Sequence, residues 1–469
     1  MSSDFPRASI NGHNILVLGL GASGLAASEL ALRHGAKVTV LDSDSGGNLA
    51  ERTARLKNRG ADVHLDWSEI DYPGDLDLAV ISPGISPAGI LGRLARRLAC
   101  PIVDELEFGF WFCSCPILAV TGTNGKTTTV EMTVHSLKGA GKNVIGAGNI
   151  GLPLSEAVHK SSGLDLIVAE VSSFQLEHIR SFHPLGACIL NISDDHGDRY
   201  QSRDEYLAAK LLLLRNMSNP ASVVMSAALF ADDRVRRLPL FRRRKPILLA
   251  TDAAGEDIDW FVDADGFLCS GGRCPMQLLH RSDLKLKGRH NIENVLAALA
   301  MCRIAGVAPA AAVPGVRRFA PSGHRLELVS IFNNVRFVND SKATNPDALV
   351  QALETCGEES SADQGKILLI AGGRDKNMNF KTVIPSIRRF VKQVYLIGEV
   401  KDTLAELWGR YVSCKKYASI GGVIDDVMEV AAAGDTVLLS PGCASHDMFS
   451  DYAERGNVFT HEIKRRTGE

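Results

Sequence analysis

Short apolar runs of four or five residues, most of them ending at Gly, Asp, Ser or Asn, alternate with helical patterns along most of this chain. No other feature constrains the fold as much. A run bounded in this way is a buried parallel strand, and the segment between two such runs must cross over as a helix. Ile15–Leu18, Val38–Leu41 and Leu78–Ile81 form a first series, with a helix expected over Gly24–His34. Ile117–Val120, Leu166–Ala169 and Ala187–Leu190 form a second; Lys366–Ile370, Gln393–Ile397 and Thr436–Leu439 form a third. The expected fold class is α/β, with three nucleotide-fold-like domains in series. The length of 469 residues agrees, because a domain takes about 150 residues. Boundaries near residues 110 and 321 give domains 1–110, 111–321 and 322–469, and Pro321-Ser-Gly323 suits a linker.

Charge and cysteine content remove several classes. Lysine and arginine total 52 against 54 acids, so the net charge is −2 and a nucleic-acid coat is excluded. No apolar run approaches the roughly 18 residues of a membrane span. Met1-Ser-Ser-Asp-Phe-Pro6 lacks the basic and apolar regions of a secretory leader. Ten scattered cysteines without a C-x-x-C pair read as reduced thiols of a cytoplasmic protein, not as a zinc site or disulfide scaffold. The basic run Arg234–Lys245 reads as a solvated loop, with a phosphate-binding or targeting patch as the alternative.

Two glycine loops sit at strand ends. Gly19-Leu-Gly21-Ala-Ser-Gly24 follows a strand and opens a helix, so its backbone can approach a pyrophosphate at a helix N-terminus. Asp42 ends the next strand, eighteen residues after Gly24, at the ribose side. Alone this pattern fits NAD, another nucleotide diphosphate or a merely structural turn. Ser82-Pro-Gly84 ends a further strand and forms another wall of that cleft. Thr121-Gly122-Thr123-Asn124-Gly125-Lys126-Thr127-Thr128 is a phosphate loop in a shortened G-x-x-G-K-T-T form. Its N–H groups cradle phosphates, Lys126 reaches the β- and γ-phosphates, and Thr127 can coordinate Mg²⁺. ATP is the expected ligand.

Other polar clusters follow the remaining strands. Glu170, in Glu170-Val-Ser-Ser-Phe-Gln-Leu176, is placed for Mg²⁺ or for capping a helix. His196, in Asp194-Asp-His-Gly-Asp-Arg-Tyr200, is a metal ligand, a substrate contact or an ordinary loop histidine. Lys210 lies on an apolar helical pattern, where a snorkelling lysine is the plain reading. Asn291 and Asn294 precede the helix that begins near Val295 and either read a base or ribose or cap that helix. Asn339-Asp-Ser-Lys-Ala-Thr-Asn345 is too polar for an ordinary turn, and Lys342 is a cation facing phosphate or carboxylate. Gly372–Lys376 and Ser440–Ser445 end the next strands and point to one cleft on the third domain.

Thr121–Thr128, Asp194–Tyr200, Asn339–Asn345 and Ser440–Gly456, in that order over essentially the whole chain, resemble the Mur ligases of peptidoglycan precursor synthesis. Asp195-His-Gly-Asp-Arg-Tyr200 and Ser440-Pro-Gly-Cys-Ala-Ser-His-Asp-Met-Phe449 look most like the glutamate-adding branch, and the Asp-Asn-Pro-Arg motif of a diaminopimelate-adding relative is absent. The resemblance implies a Rossmann-like UDP-binding domain, a central P-loop ATPase-like domain and a Rossmann-like amino-acid domain. The first glycine loop then holds UDP, not NAD. Mg²⁺, as two ions, is implied at Thr127, Glu170 and His196, with Lys210 matching a carbamylated lysine that supplies a further oxygen ligand. Asn291, Asn294, Arg325 and Asp340 match ATP contacts beside the loop residues Gly122–Thr128. Ala22, Ser23, Asp42, Gly84, Asn149 and Ser172 match substrate positions, Asn149 at the UDP sugar. Thr344, Lys376, Ser445 and Tyr452, with Lys342, match positions around the incoming glutamate or the reacting phosphate. Asp44, His446 and Tyr452 depart from residues found in some members.

The implied reaction joins UDP-N-acetylmuramoyl-L-alanine and glutamate through an acyl phosphate, with Lys126, His196, Lys210 and Lys342 at the chemistry and a monomer as the working unit. Three other readings stand beside it: an NAD-dependent dehydrogenase, a folylpolyglutamate synthetase-like or L-glutamate-adding ligase, and a non-catalytic nucleotide-binding module.

Overall fold

The structure, a computed structural model, describes residues 9–197, 199–252, 257–271, 275–362 and 365–468. The N-terminal hexapeptide and Asp198 of the acidic loop lie outside the described residues. Three sheets form. The first contains β1 (Asn14–Leu18), β2 (Lys37–Leu41), β3 (Asp62–His64), β4 (Leu78–Ile81) and β5 (Ile102–Asp104) in the order β3-β2-β1-β4-β5, all parallel. The order reverses at β1, which puts the Gly19–Gly24 loop at the topological switch point.

The second sheet contains β6 (Ile117–Thr121), β7 (Val144–Gly148), β8 (Leu166–Glu170), β9 (Gly186–Ile189), β10 (Val223–Ser226), β11 (Ile247–Leu249), β12 (Trp260–Val262), β13 (Phe267–Ser270) and β14 (Met276–His280). Its order is β14-β13-β12-β11-β10-β9-β6-β8-β7, with an antiparallel run only at β12-β13-β14. The third contains β15 (Glu327–Phe332), β16 (Val335–Asn339), β17 (Ile367–Gly372), β18 (Val391–Ile397), β19 (Ser413–Lys416) and β20 (Thr436–Leu439), in the order β15-β16-β20-β17-β18-β19.

Strand periodicity builds the cores. Along β17, Ile367 and Leu369 face a cluster with Leu349, Leu353 and Trp408, while Leu368 and Ile370 face one with Ile424 and Phe459. Both faces are covered, so the strand reads as one apolar run, and each buried Leu or Ile contributes about 1.5–3 kcal/mol.

Two compact units result. One holds residues up to Asn191, with Asp204–Leu284 and Glu293–Phe319; the other holds Ile192–Arg203, Lys285–Ile292 and the chain from Ala320 onward. The first two sheets share a unit, and two buried carboxylates explain why. On the helix Glu105–Trp111, Glu107 accepts from the backbone N–H groups of Arg180 (3.0 Å), Ser181 (2.8 Å) and Phe182 (2.8 Å). Glu105 accepts from Ser155 N at 2.6 Å. Its second oxygen is buried without a hydrogen-bond partner, and burial pushes its carboxyl up to about 7.

Several local expectations are corrected. Glu170 is the last residue of β8, not a residue beyond it. The helix expected near Val295 starts at Arg289, so Asn291 and Asn294 lie within it and are not its caps. Lys210, on the helix Arg203–Leu211, is 1% exposed and does not snorkel to solvent. Within the basic run, Arg234 pairs with Asp204 and Asp232, Arg236 and Arg237 with Asp233, and Lys245 with Asp257. No described helix is long and apolar enough to cross a membrane.

Candidate active site

The phosphate loop follows β6 and feeds the helix Lys126–Gly139. The loop turns at Gly125, whose φ of 83° is left-handed; a Cβ there would lie 2.2 Å from the Asn294 Oδ1. Asn191 fastens the loop from the end of β9. Its carbonyl accepts from Thr123 N at 2.9 Å, and its side-chain oxygen accepts from Asn124 N at 2.9 Å. Lys126 Nζ donates to the carbonyls of Gly122 (3.0 Å) and Thr123 (2.8 Å). Lys210 Nζ also reaches the Gly122 carbonyl, at 2.8 Å, and lies 4.5 Å from the Tyr206 ring centroid. Two ammonium groups thus converge on one peptide oxygen of the loop.

Glu170 joins the other elements. It is 2% exposed. One carboxylate oxygen accepts from the Thr127 hydroxyl at 2.7 Å and the other from Asn149 Nδ2 at 2.8 Å. Thr128 is buried in the first turn of the same helix. Asn294 approaches from the helix Arg289–Ile304, its Oδ1 3.3 Å from Thr129 Oγ1. Ser172 is engaged in a capping box with Gln175 on the short helix Ser173–Leu176.

At the end of β1, Gly24 packs so closely that a Cβ would lie 1.8 Å from the Gly19 carbonyl. Asp42 closes this turn, its Oδ2 accepting from Leu20 N at 2.6 Å and its Oδ1 from Asp44 N at 2.9 Å. Ala22 and Ser23 open the helix Ala22–Arg33, and Gly84 follows β4, beside Ser82, which donates to Gly19 O at 3.2 Å.

The second unit holds the remaining residues. Lys342 Nζ donates to the Tyr452 hydroxyl at 3.0 Å and lies 4.5 Å from that ring's centroid. Asp340 accepts from Ser440 Oγ (2.9 Å) and Leu326 N (3.2 Å), and burial pushes its carboxyl up to about 7. Ser445 is buried, while Thr344 and Lys376 are half-buried. A cavity of about 470 Å³ is lined by Asn291 and Arg325 among others. His290 beside it is held down to about 4 by burial. His196 adopts a left-handed φ of 56°, and its backbone N–H donates to Asp195 Oδ1 at 2.8 Å. Asn345 Nδ2 donates to Asp195 Oδ2 at 3.2 Å, so the acidic loop packs on the second unit.

The structure therefore gathers Gly122–Thr128, Asn149, Glu170, Lys210 and Asn294 in the first unit. It gathers His196, Asn291, Arg325, Asp340, Lys342, Thr344, Lys376, Ser445 and Tyr452 in the second. Among the described residues no group of three or more His, Cys, Asp or Glu forms a metal cluster. Asn191 and Arg455 were not marked by the sequence reading. Asn191 carried a signal, an Asn directly after the apolar run Ala187–Leu190, whereas an Arg in a C-terminal helix carries none.

Fold and site together define a class: an α/β protein of three sheets with a nucleotide phosphate loop on its middle sheet and lysine-bearing loops on its last. The Mur ligase middle domain model matches residues 120–302, and the Mur ligase, glutamate ligase domain model matches residues 324–443. The chain belongs to the Mur ligase family. A UDP-N-acetylmuramoylalanine--D-glutamate ligase of Pelotomaculum thermopropionicum is 36% identical, over 98% of this chain and 98% of that one. Its namesake in Geotalea daltonii is 35% identical, over 98% and 99%. Among solved structures, the MurF ligase of Thermotoga maritima in complex with ADP shares the fold, with a TM-score of 0.56 and 17% identity over 98% of this chain and 97% of that one.

Proposed function

We propose that this chain is an ATP-dependent ligase that adds D-glutamate to UDP-N-acetylmuramoyl-L-alanine in cytoplasmic peptidoglycan precursor synthesis, working as a monomer. The observation that carries this reading is its identity of about one third, over nearly the full length of both chains, to relatives of that name. The loop geometry supplies the parts such a reaction needs.

A carboxylate is a poor acyl donor. The muramoyl-alanine carboxylate attacks the γ-phosphate of ATP and becomes an acyl phosphate as ADP leaves; the glutamate amine then adds to the carbonyl carbon, gives up a proton, and phosphate leaves as the amide forms. Both steps gather negative charge, so fixed cations and oriented N–H groups lower the barrier. Lys126 and the loop N–H groups of Gly122–Thr128 bind the ATP phosphates. Lys342, oriented by Tyr452, faces the reacting phosphate and the incoming amino acid, with Thr344, Lys376 and Ser445 beside it. Asn291, Asn294, Arg325 and Asp340 take the rest of the nucleotide. Ala22, Ser23, Asp42 and Gly84 frame the UDP turn, and Asn149 and Ser172 serve the sugar end.

The residues present fit magnesium. Thr127 and Glu170 put hydroxyl and carboxylate oxygens, hard donors, 2.7 Å apart in a buried position beside the phosphate loop. They would hold the ion, with a carbamylated Lys210 of the same unit adding oxygen ligands; His196 lies in the second unit, and its role as a metal ligand rests on the family resemblance. Magnesium supplies neutralisation of phosphate charge when bound.

The test is phosphate release from ATP with UDP-N-acetylmuramoyl-L-alanine, offering D-glutamate and L-glutamate separately. Release with D-glutamate alone is expected. Release with neither, or a nicotinamide absorbance change in its place, would sink the proposal.

A further inference from the structure

Arg455 is 1% exposed and sits in the first turn of the helix Tyr452–Thr467. Its guanidinium is spent almost wholly on backbone. Nη2 donates to Ser341 O at 2.7 Å, Nη1 to Cys443 O at 3.1 Å and to Ala444 O at 3.4 Å, and Nε to Ser341 Oγ at 2.9 Å. That hydroxyl in turn donates a hydrogen bond to Tyr452 O at 2.7 Å. A Cβ on Gly373 would lie 3.3 Å from Nη1, and Gly373 adjoins Arg374, which bonds Ala444 in both directions.

The loops after β16 and β20 therefore meet on one side chain, and the loop after β17 is tied to the second of them through Arg374 and Ala444. Sheet order explains this: those three strands are neighbours, so their carboxyl ends open side by side. A planar five-donor fork suits several carbonyls on two loops in a way a lysine does not. Asp447 and Asp340 act on Arg455 electrostatically without forming an ion pair among the described residues, so its buried charge rests mainly on carbonyl dipoles. Burial lowers its pKa to about 10, which leaves it charged at neutral pH. The residues these loops carry are Lys342, Thr344, Lys376 and Ser445.

We infer that Arg455 is a positioning residue for the amino-acid substrate. It locks the loops after β16 and β20, to which the loop after β17 is bonded, and adds a fixed positive charge behind a site for a dicarboxylate. This rests on the proposed reading that the third-sheet loops receive glutamate.

Three separate KM values test it in Arg455→Lys and in Ser341→Ala, which removes only the linking hydroxyl. Circular dichroism and thermal unfolding check that each variant is folded. A hydrogen bond to a charged group is worth about 1.5–3 kcal/mol, so KM for glutamate should rise about tenfold or more in Arg455→Lys and severalfold in Ser341→Ala. KM for ATP and for the UDP-sugar should stay within about twofold. If Arg455→Lys does not fold, Ser341→Ala decides. An unchanged glutamate KM in the folded variants, or an equal rise of all three KM values, overturns the inference. Wild-type protein that shows no glutamate-dependent phosphate release would instead overturn the proposed function.

Discussion

Thr127 donates its hydroxyl to Glu170 across 2.7 Å, and this bond ties the first turn of the phosphate-loop helix to the end of β8. Asn149 holds the other carboxylate oxygen. Glu170→Gln keeps the shape and one acceptor but removes the charge. Phosphate release should fall at least about a hundredfold, with thermal unfolding close to wild type. A variant within a few-fold of wild type would remove Glu170 from the metal site.

Gly125→Ala should fail for two reasons. The left-handed φ costs an L residue about 1–2 kcal/mol. The new methyl would also sit 2.2 Å from Asn294 Oδ1. ATP affinity, read by calorimetry, should drop about tenfold or more. Wild-type affinity would show that the turn tolerates a side chain.

Lys210→Ala removes a buried ammonium from the Gly122 carbonyl. If a carbamate on this lysine supplies oxygen ligands, short carboxylates such as acetate or formate should restore part of the lost turnover. A flat response across carboxylate concentrations would count against that role.

Tyr452 contacts Lys342 with both its hydroxyl and its ring face. Tyr452→Phe keeps the ring contact and loses one hydrogen bond, worth about 1 kcal/mol, so kcat/KM for glutamate should fall about fivefold. Tyr452→Leu loses both and should fall further. Equal activity in the two variants would show that the ring face does not matter.

Glu105 sets a pH dependence of stability. Its carboxyl is raised from 4.5 to about 7 by burial. The folded protein then holds a proton that the unfolded chain releases, so stability falls as pH climbs from about 4.5 to about 7 and the loss is complete above that. The contribution is of order 3 kcal/mol. Glu105→Gln removes the charge and keeps an acceptor for Ser155 N. Its melting temperature should exceed wild type at pH 8 and match it near pH 4.5; identical profiles would exclude Glu105 as the source.

The phosphate loop was legible in the sequence because a phosphate cradle is contiguous: the strand, the glycines, Lys126 and Thr127 must follow in order. Parallel strands such as β17 and β20 were legible because both faces are buried. What stayed hidden acts through space. Arg455, Glu105 and Glu107 bond backbone groups that lie far away in sequence, so no local pattern marks them; Asn191 does the same and shows only as an Asn after an apolar run. Asn291 and Asn294 were placed ahead of their helix because a polar first turn masked its start at Arg289. The hairpin strands β12 to β14 were missed because β12 has three residues and Gln277 and His280 interrupt the apolar run of β14.

The Glu107 carboxylate gathers three successive N–H groups of a distant turn, and Glu105 holds Ser155. The first hundred or so residues are therefore no interchangeable cassette. A chimaera that grafts a relative's N-terminal sheet onto this chain must carry Glu105 and Glu107 matched to the segments around 155 and 180–182. Otherwise the graft exchanges satisfied amides for orphaned ones at its own seam.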